Sequence, residues 1–153
     1  MTAPAYKSKT LATWIALIGG SLGLHRFYLH GLADRWGWLF PLPTLLGLLG
    51  VQRMRAFGPD DHAAWVLIPL VGLTLSIAML TAVIYGLTPD EKWHARFNTE
   101  GPQQRAGWAA VIGVAAALFI GAAVLMATIA FSAQRYFEFQ AGAAQTKSIK
   151  PIQ

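Results

Sequence analysis

Two stretches without a single charged side chain dominate this sequence. Between Asp61 and Asp90 lie 28 uncharged positions, and between Arg105 and Arg135 lie 29. A helix crossing the roughly 30 Å hydrocarbon core of a bilayer needs about 17–25 apolar residues. A charge at its centre costs roughly 2.5–3.5 kcal/mol on the insertion scale. Ala63–Leu87 and Ala106–Ala133 therefore read as transmembrane helices. Two shorter gaps precede them, of 16 positions between Lys9 and Arg26 and 17 between Arg35 and Arg53. At about 1.5 Å per residue these fall just short of the core thickness. The expected fold class is all-α: a polytopic membrane protein with four transmembrane helices, the first two forming a short hairpin.

Composition supports lipid as the solvent. Hydrophobic residues make up 55% and charged residues 12%, against about 25% charged in an ordinary soluble domain. That balance excludes a disordered tail and a nucleic-acid module built on basic patches. The net charge of +5 reads as flanking bases beside anionic headgroups. With no cysteine, disulfides, zinc-thiolate sites, iron–sulfur clusters and thiol nucleophiles are out of reach.

Along the chain, residues 1–9 are a basic N-terminal segment and 10–58 a helical pair. Residues 59–133 form a second pair with a charged connector at 89–105, and 134–153 an interfacial, then mobile, tail. Leu11–Leu24 carries Gly19, Gly20 and Gly23. Either the first helix continues through His25–Leu29 with Arg26 snorkelling, or the pair is a partly re-entrant hairpin against the long helices. The continuing helix is the favoured reading, as an uncleaved signal-anchor. Pro41 and Pro43 should kink or delay the second helix near its start. Thr88-Pro89-Asp90-Glu91 has the form of a helix start, with Thr as cap, so a short surface helix is expected over residues 89–97. Trp14, Trp36, Trp38, Trp65, Trp93, Trp108 and Tyr136 fall near helix ends, as interfacial belts require. Four spans put both termini on one side. Lys7, Lys9, Arg53, Arg55, Arg135, Lys147 and Lys150 then oppose Arg26, Arg35, Lys92, Arg96 and Arg105, which favours cytoplasmic termini in an inner membrane.

The most distinctive block is Gly19-Gly20-Ser21-Leu22-Gly23-Leu24-His25-Arg26-Phe27-Tyr28-Leu29-His30-Gly31, preceded by Lys7-Ser8-Lys9-Thr10. Arg26 can clamp a lipid phosphate through its planar fork or pair with Asp34 to close a hairpin. Phe27 and Tyr28 suit the interface, and the three glycines permit close backbone approach. Over roughly residues 7–58 the chain resembles the TM2-domain family of membrane proteins, whose bacterial members carry a Gly-rich first helix and a Gly-x-His-Arg-Phe-Tyr-Leu-Gly-like element. His30 stands where the family commonly has Gly, and the Trp and Asp usual near the exit of the second helix are missing. Animal relatives carry Asp-Arg-Phe in a cytosolic loop; His25 replaces that Asp, so their receptor-like role is not carried over.

On the fourth helix, Ala109, Gly113, Ala117 and Gly121 recur every four residues, a small-residue ladder for helix packing within the chain or against another copy. His25, His30, His62 and His94 lie off the span centres without i,i+4 pairing, so neither haem nor metal is expected. No phosphate loop, nucleophile elbow or zinc-protease motif occurs, and acids are absent from all four gaps. Thr74 and Ser76 should bond back to their own helix. The expected function is a non-enzymatic multi-pass membrane protein, a structural or accessory interaction element without cofactor. Its expected partners are membrane lipids and a homo-oligomer or membrane complex, not nucleic acid. The alternative is a lipid- or small-solute-handling protein whose His-Arg-Phe-Tyr loop binds a headgroup.

Overall fold

The computed structural model describes residues 6–99 and 104–148, with side chains as far as residue 144. The helices are α1 (Lys9–Gly19), α2 (Leu24–His30), α3 (Arg35–Leu39), α4 (Pro41–Phe57), α5 (His62–Leu87), α6 (Asp90–Phe97) and α7 (Trp108–Ser148), with a 3-10 turn at Gly20–Leu22. No strand occurs among the described residues.

The long helices α5 and α7 are apolar enough and long enough to cross a membrane, and only 22% and 17% of their most hydrophobic windows are buried within the chain. A core helix of a water-soluble protein hides most of its surface. Here Val66, Ile77, Leu80, Leu118, Phe119 and Met126 all face outward. Apolar side chains on every face are what a lipid solvent tolerates.

These two helices run antiparallel. Gly86 lies against Val114, Met79 against Gly121 and Gly72 against Thr128, while His62 meets the ring of Phe139. Helix α4 packs along the first half of α5 through missing side chains: a Cβ on Gly50 would come 2.6 Å from Leu67 Cβ. Arg53 and Asp61 close that pair with a two-point ion pair of 2.8 and 3.2 Å. The proline expectation holds. Helix α3 stops at Leu39, and Pro41 opens α4 at its first turn, where a missing amide costs no internal bond.

The first segment departs from the favoured expectation. Helix α1 descends from the α6 end only as far as Gly20, which touches Ala78, nine residues short of the end of α5 at Leu87. The chain then turns back at Gly23, whose φ is +75°. Added atoms there would strike the carbonyl of Gly37, so both backbone angle and space demand glycine. Helix α2 returns to the starting level: the Ser8 amide donates to the Tyr28 hydroxyl at 2.9 Å, and Ala12, Leu29 and Trp93 form one buried cluster. The first segment is a hairpin that doubles back, so Arg26 returns toward the start of α1 and does not extend a continuous rod.

Among the described residues two helices, α5 and α7, are long and apolar enough to cross a membrane, so four spans are not shown. α1–α2 doubles back, α3–α4, α5 and α7 run the length of the bundle, and α1 begins at the α6 end whereas α7 finishes at the other. The expected common side for both termini required the first segment to cross.

Two smaller corrections concern helix ends. The short connector helix is present, but Thr88 finishes α5, its hydroxyl donating to the Ile84 carbonyl at 2.6 Å, and does not cap α6. Residues 134–140 continue α7 instead of turning along an interface, helped by i,i+4 bonds from Gln134 to Glu138 and from Gln140 to Tyr136. Residues 100–103 of the connector and 149–153 of the expected mobile tail lie outside the described residues.

Candidate functional site: the clamped re-entrant hairpin

Polar chemistry concentrates at the end of the bundle where α1 begins, α2 and α5 finish, and α6 lies across them. The segment from Tyr6 to Ser8 is extended, Ser8 having ψ 128° before its side chain caps α1. The side-chain amide of Asn98 pairs with both backbone groups of Lys7. The Lys7 amide donates to Asn98 Oδ1 at 2.8 Å, and Asn98 Nδ2 donates to the Lys7 carbonyl at 2.9 Å. Trp93 Nε1 donates to the same carbonyl at 2.9 Å. Behind Asn98, the buried His94 donates from Nε2 to the Gln104 carbonyl at 2.9 Å. That bond leaves His94 Nδ1 to accept from Asn98 Nδ2 at 3.4 Å.

The two lysine heads serve helix ends. Lys7 Nζ donates to the Leu29 carbonyl near the end of α2. Lys9 Nζ donates to the Thr88 carbonyl at 2.9 Å and pairs with Asp90 at 2.6 Å. Orphan carbonyls at helix C-termini carry partial negative charge, so cations there are stabilising. Lys9 also holds the Asp90 carboxyl below the usual carboxylate range, chiefly by that hydrogen bond. The Ala106 amide, after the connector, donates to the other Asp90 oxygen at 3.1 Å.

A second node fixes the return of the hairpin. Arg26 Nε donates to Asp34 Oδ2 at 2.7 Å, while Asp34 Oδ1 caps α3 by accepting from the Trp36 amide at 3.1 Å. The Arg26 hydrogen bond is the leading cause that lowers the Asp34 pKa. Arg26 makes the internal pair that closes the hairpin. Phe27 packs against Trp38, and its ring fills the space beside Gly37. His25 is 2% exposed, set edge-on against Phe40 and Tyr85, with Nδ1 unpartnered. At the tip, the Thr44 hydroxyl donates to the Ser21 carbonyl at 2.7 Å, satisfying a backbone group freed by the turn.

The glycines of the motif divide by task. Gly19 leaves room for Leu24, Gly20 for Ala78, and Gly23 makes the reversal. The ladder on α7 faces inward: Gly113 meets Thr13 and Trp14, Ala117 joins the core with Ala16 and Met79, and Gly121 meets Met79. Ala109 is exposed but lends its carbonyl to Trp14 Nε1 at 3.1 Å. Thr74 and Ser76 bond to the carbonyls of Leu70 and Gly72 on their own helix. Among the described residues no cluster of three or more His, Asp or Glu side chains could hold a metal ion.

Sequence reasoning missed the Asn98–Lys7 pairing and the capping lysines. The basic start of the motif was visible, but no periodicity ties Lys7 to a residue 91 positions away. No family model, curated protein or solved structure matches this chain.

Proposed function

We propose that this is a multi-pass inner-membrane protein, non-enzymatic, that acts as a structural or accessory interaction element. Its crossings are α3–α4, α5 and α7, with α1–α2 dipping to mid-depth. The observation that carries this reading is how the polar side chains are spent. Lys7, Lys9, Arg26, Asp34, Asp90, Trp93 and Asn98 are all engaged in pinning the hairpin and connector to the bundle. Charged groups satisfied by helix ends and by one another build a scaffold. The TM2-domain resemblance points the same way and names no reaction.

In this arrangement the charge count changes sides. Lys7, Lys9, Arg26, Arg35, Lys92, Arg96 and Arg105 belong to the α6 end, and Arg53, Arg55 and Arg135 to the other. With Lys147 near the end of α7 counted there too, seven described bases against four favour an α6 face in the cytoplasm. The cysteine-free chain makes the test direct: single cysteines at Lys92 and Arg55, labelled in intact cells, should react from opposite sides, Arg55→Cys from outside. Labelling of both from one side overturns the topology. A mild-detergent purification that retains a protein partner in fixed ratio supports the accessory role. The headgroup alternative is less favoured because Arg26 spends its Nε on Asp34, leaving only the terminal nitrogens for a phosphate; a phospholipid whose retention depends on Arg26 would favour it.

A further inference from the structure

The re-entrant hairpin makes the two ends of the bundle unequal in width. At the α6 end five helical segments lie side by side: α1, α2, α3, α5 and α7. Past the tip at Gly20–Gly23 only α4, α5 and α7 continue. The change falls at mid-depth. The 11 residues of α1 reach about 16 Å at 1.5 Å per residue, close to half of a roughly 30 Å core. The tip is dressed for lipid: Ile18 is 78% exposed, and Leu22 and Leu24 are also exposed. The Ser21 carbonyl at the turn is satisfied by the Thr44 hydroxyl at 2.7 Å.

We infer that the chain is a wedge that prefers curved membrane, seated where the bilayer is convex toward the α6 face. A helix occupies a cylinder about 10–12 Å across, so five against three amounts to roughly 200 Å² more cross-section in one leaflet. Spread over the distance between leaflet centres, about 15 Å, the walls taper by about 10°. Lipids in a flat bilayer must tilt to cover such a taper, and lipids in a bilayer already bent that way need not. Insertion that is sensitive to curvature follows from the same packing argument for interfacial helices. Here it comes from the transmembrane outline.

This inference rests on the membrane reading above, and the test separates the two. The Lys92→Cys chain is reconstituted into neutral phosphatidylcholine vesicles of about 50 nm and about 400 nm, sizes chosen to vary curvature strongly. An impermeant thiol reagent gives the fraction with the α6 face outward. The expected ratio of outward to inward is near one in the large vesicles and about threefold or more in the small ones. Ile18→Arg combined with Leu22→Arg should hold the tip out of lipid and remove the dependence on diameter while the three crossings remain inserted. A ratio indifferent to diameter, or reversed, overturns the wedge, as does a bias that persists in an inserted double variant. Should that variant fail to insert, the size series of the parent chain decides alone. Failure of the parent chain to enter vesicles at all refutes the membrane reading instead.

Discussion

Removing the Asn98 side chain tests whether the N-terminal segment is held by the bonds described. Asn98→Ala deletes two hydrogen bonds to the backbone of Lys7, of 2.8 and 2.9 Å. At about 0.5–1.5 kcal/mol net for each, the clamp loses roughly 1–3 kcal/mol, which is a factor of about 5–150 in a local opening equilibrium. The Ser8 amide reports that opening because it bonds to the Tyr28 hydroxyl and not to Asn98. Hydrogen exchange followed by mass spectrometry in detergent should show Ser8 exchanging faster by that factor, with the interior of α5 unchanged. Local opening costs less than global unfolding, so the two responses separate. Equal Ser8 exchange in both chains would mean that Trp93 and the lysine contacts hold the segment alone. Acceleration throughout α5 would mean that the clamp supports the whole fold and not the hairpin locally.

Other substitutions probe the remaining contacts. Gly50→Leu forces atoms against Leu67 and should lower thermal stability by about 1–3 kcal/mol, read as an earlier melting transition, whereas Gly107→Leu, with open space around it, should not. Gly23→Ala combines left-handed backbone strain of about 1–2 kcal/mol with a clash at the Gly37 carbonyl, so it should melt well below Gly107→Ala, whose position has open space and no left-handed backbone. In a double-mutant cycle, Arg26→Ala and Asp34→Ala should be strongly non-additive, with Asp34→Ala the worse because it also uncaps α3; additivity would show that the pair is solvated. The lowered pKa of Asp90 makes its contribution complete above the ordinary carboxylate range. That contribution is lost as pH falls from about 4 through the folded-state value. Asp90→Asn should flatten the acid limb of melting temperature against pH, and an unchanged limb would contradict the Lys9 contact.

What could be read from the sequence was whatever lipid imposes over a long run of residues. The charge gaps place α5 and α7, because an uncompensated charge at mid-bilayer is expensive wherever it falls. Pro41 and the acids Asp90 and Glu91 mark helix starts for equally local reasons. The reversal at Gly23 was not legible, since a glycine that admits a neighbouring helix and one that adopts positive φ are the same letter. Only the Gly37 carbonyl, set where a Cβ would stand, distinguishes them. The ladder on α7 carried a comparable ambiguity, and Thr13, Trp14 and Met79 resolve it toward the chain's own helices. Gln134–Gln140 misled through its alternation of rings and amides, a pattern that an amphipathic surface strip and a protruding helix share.

Helix α7, with 41 residues, measures about 61 Å at 1.5 Å per residue, roughly twice what the hydrocarbon layer can cover. Phe139 meets the first residue of α5, and Gly142 and Ala143, a turn further on, still lie beside His62 and Trp65. Five further residues carry the helix from Ala143 to Ser148, about 8 Å at 1.5 Å per residue. A single crossing of a bilayer by α7 would therefore leave about half of the helix outside the hydrocarbon layer, within reach of the aqueous phase.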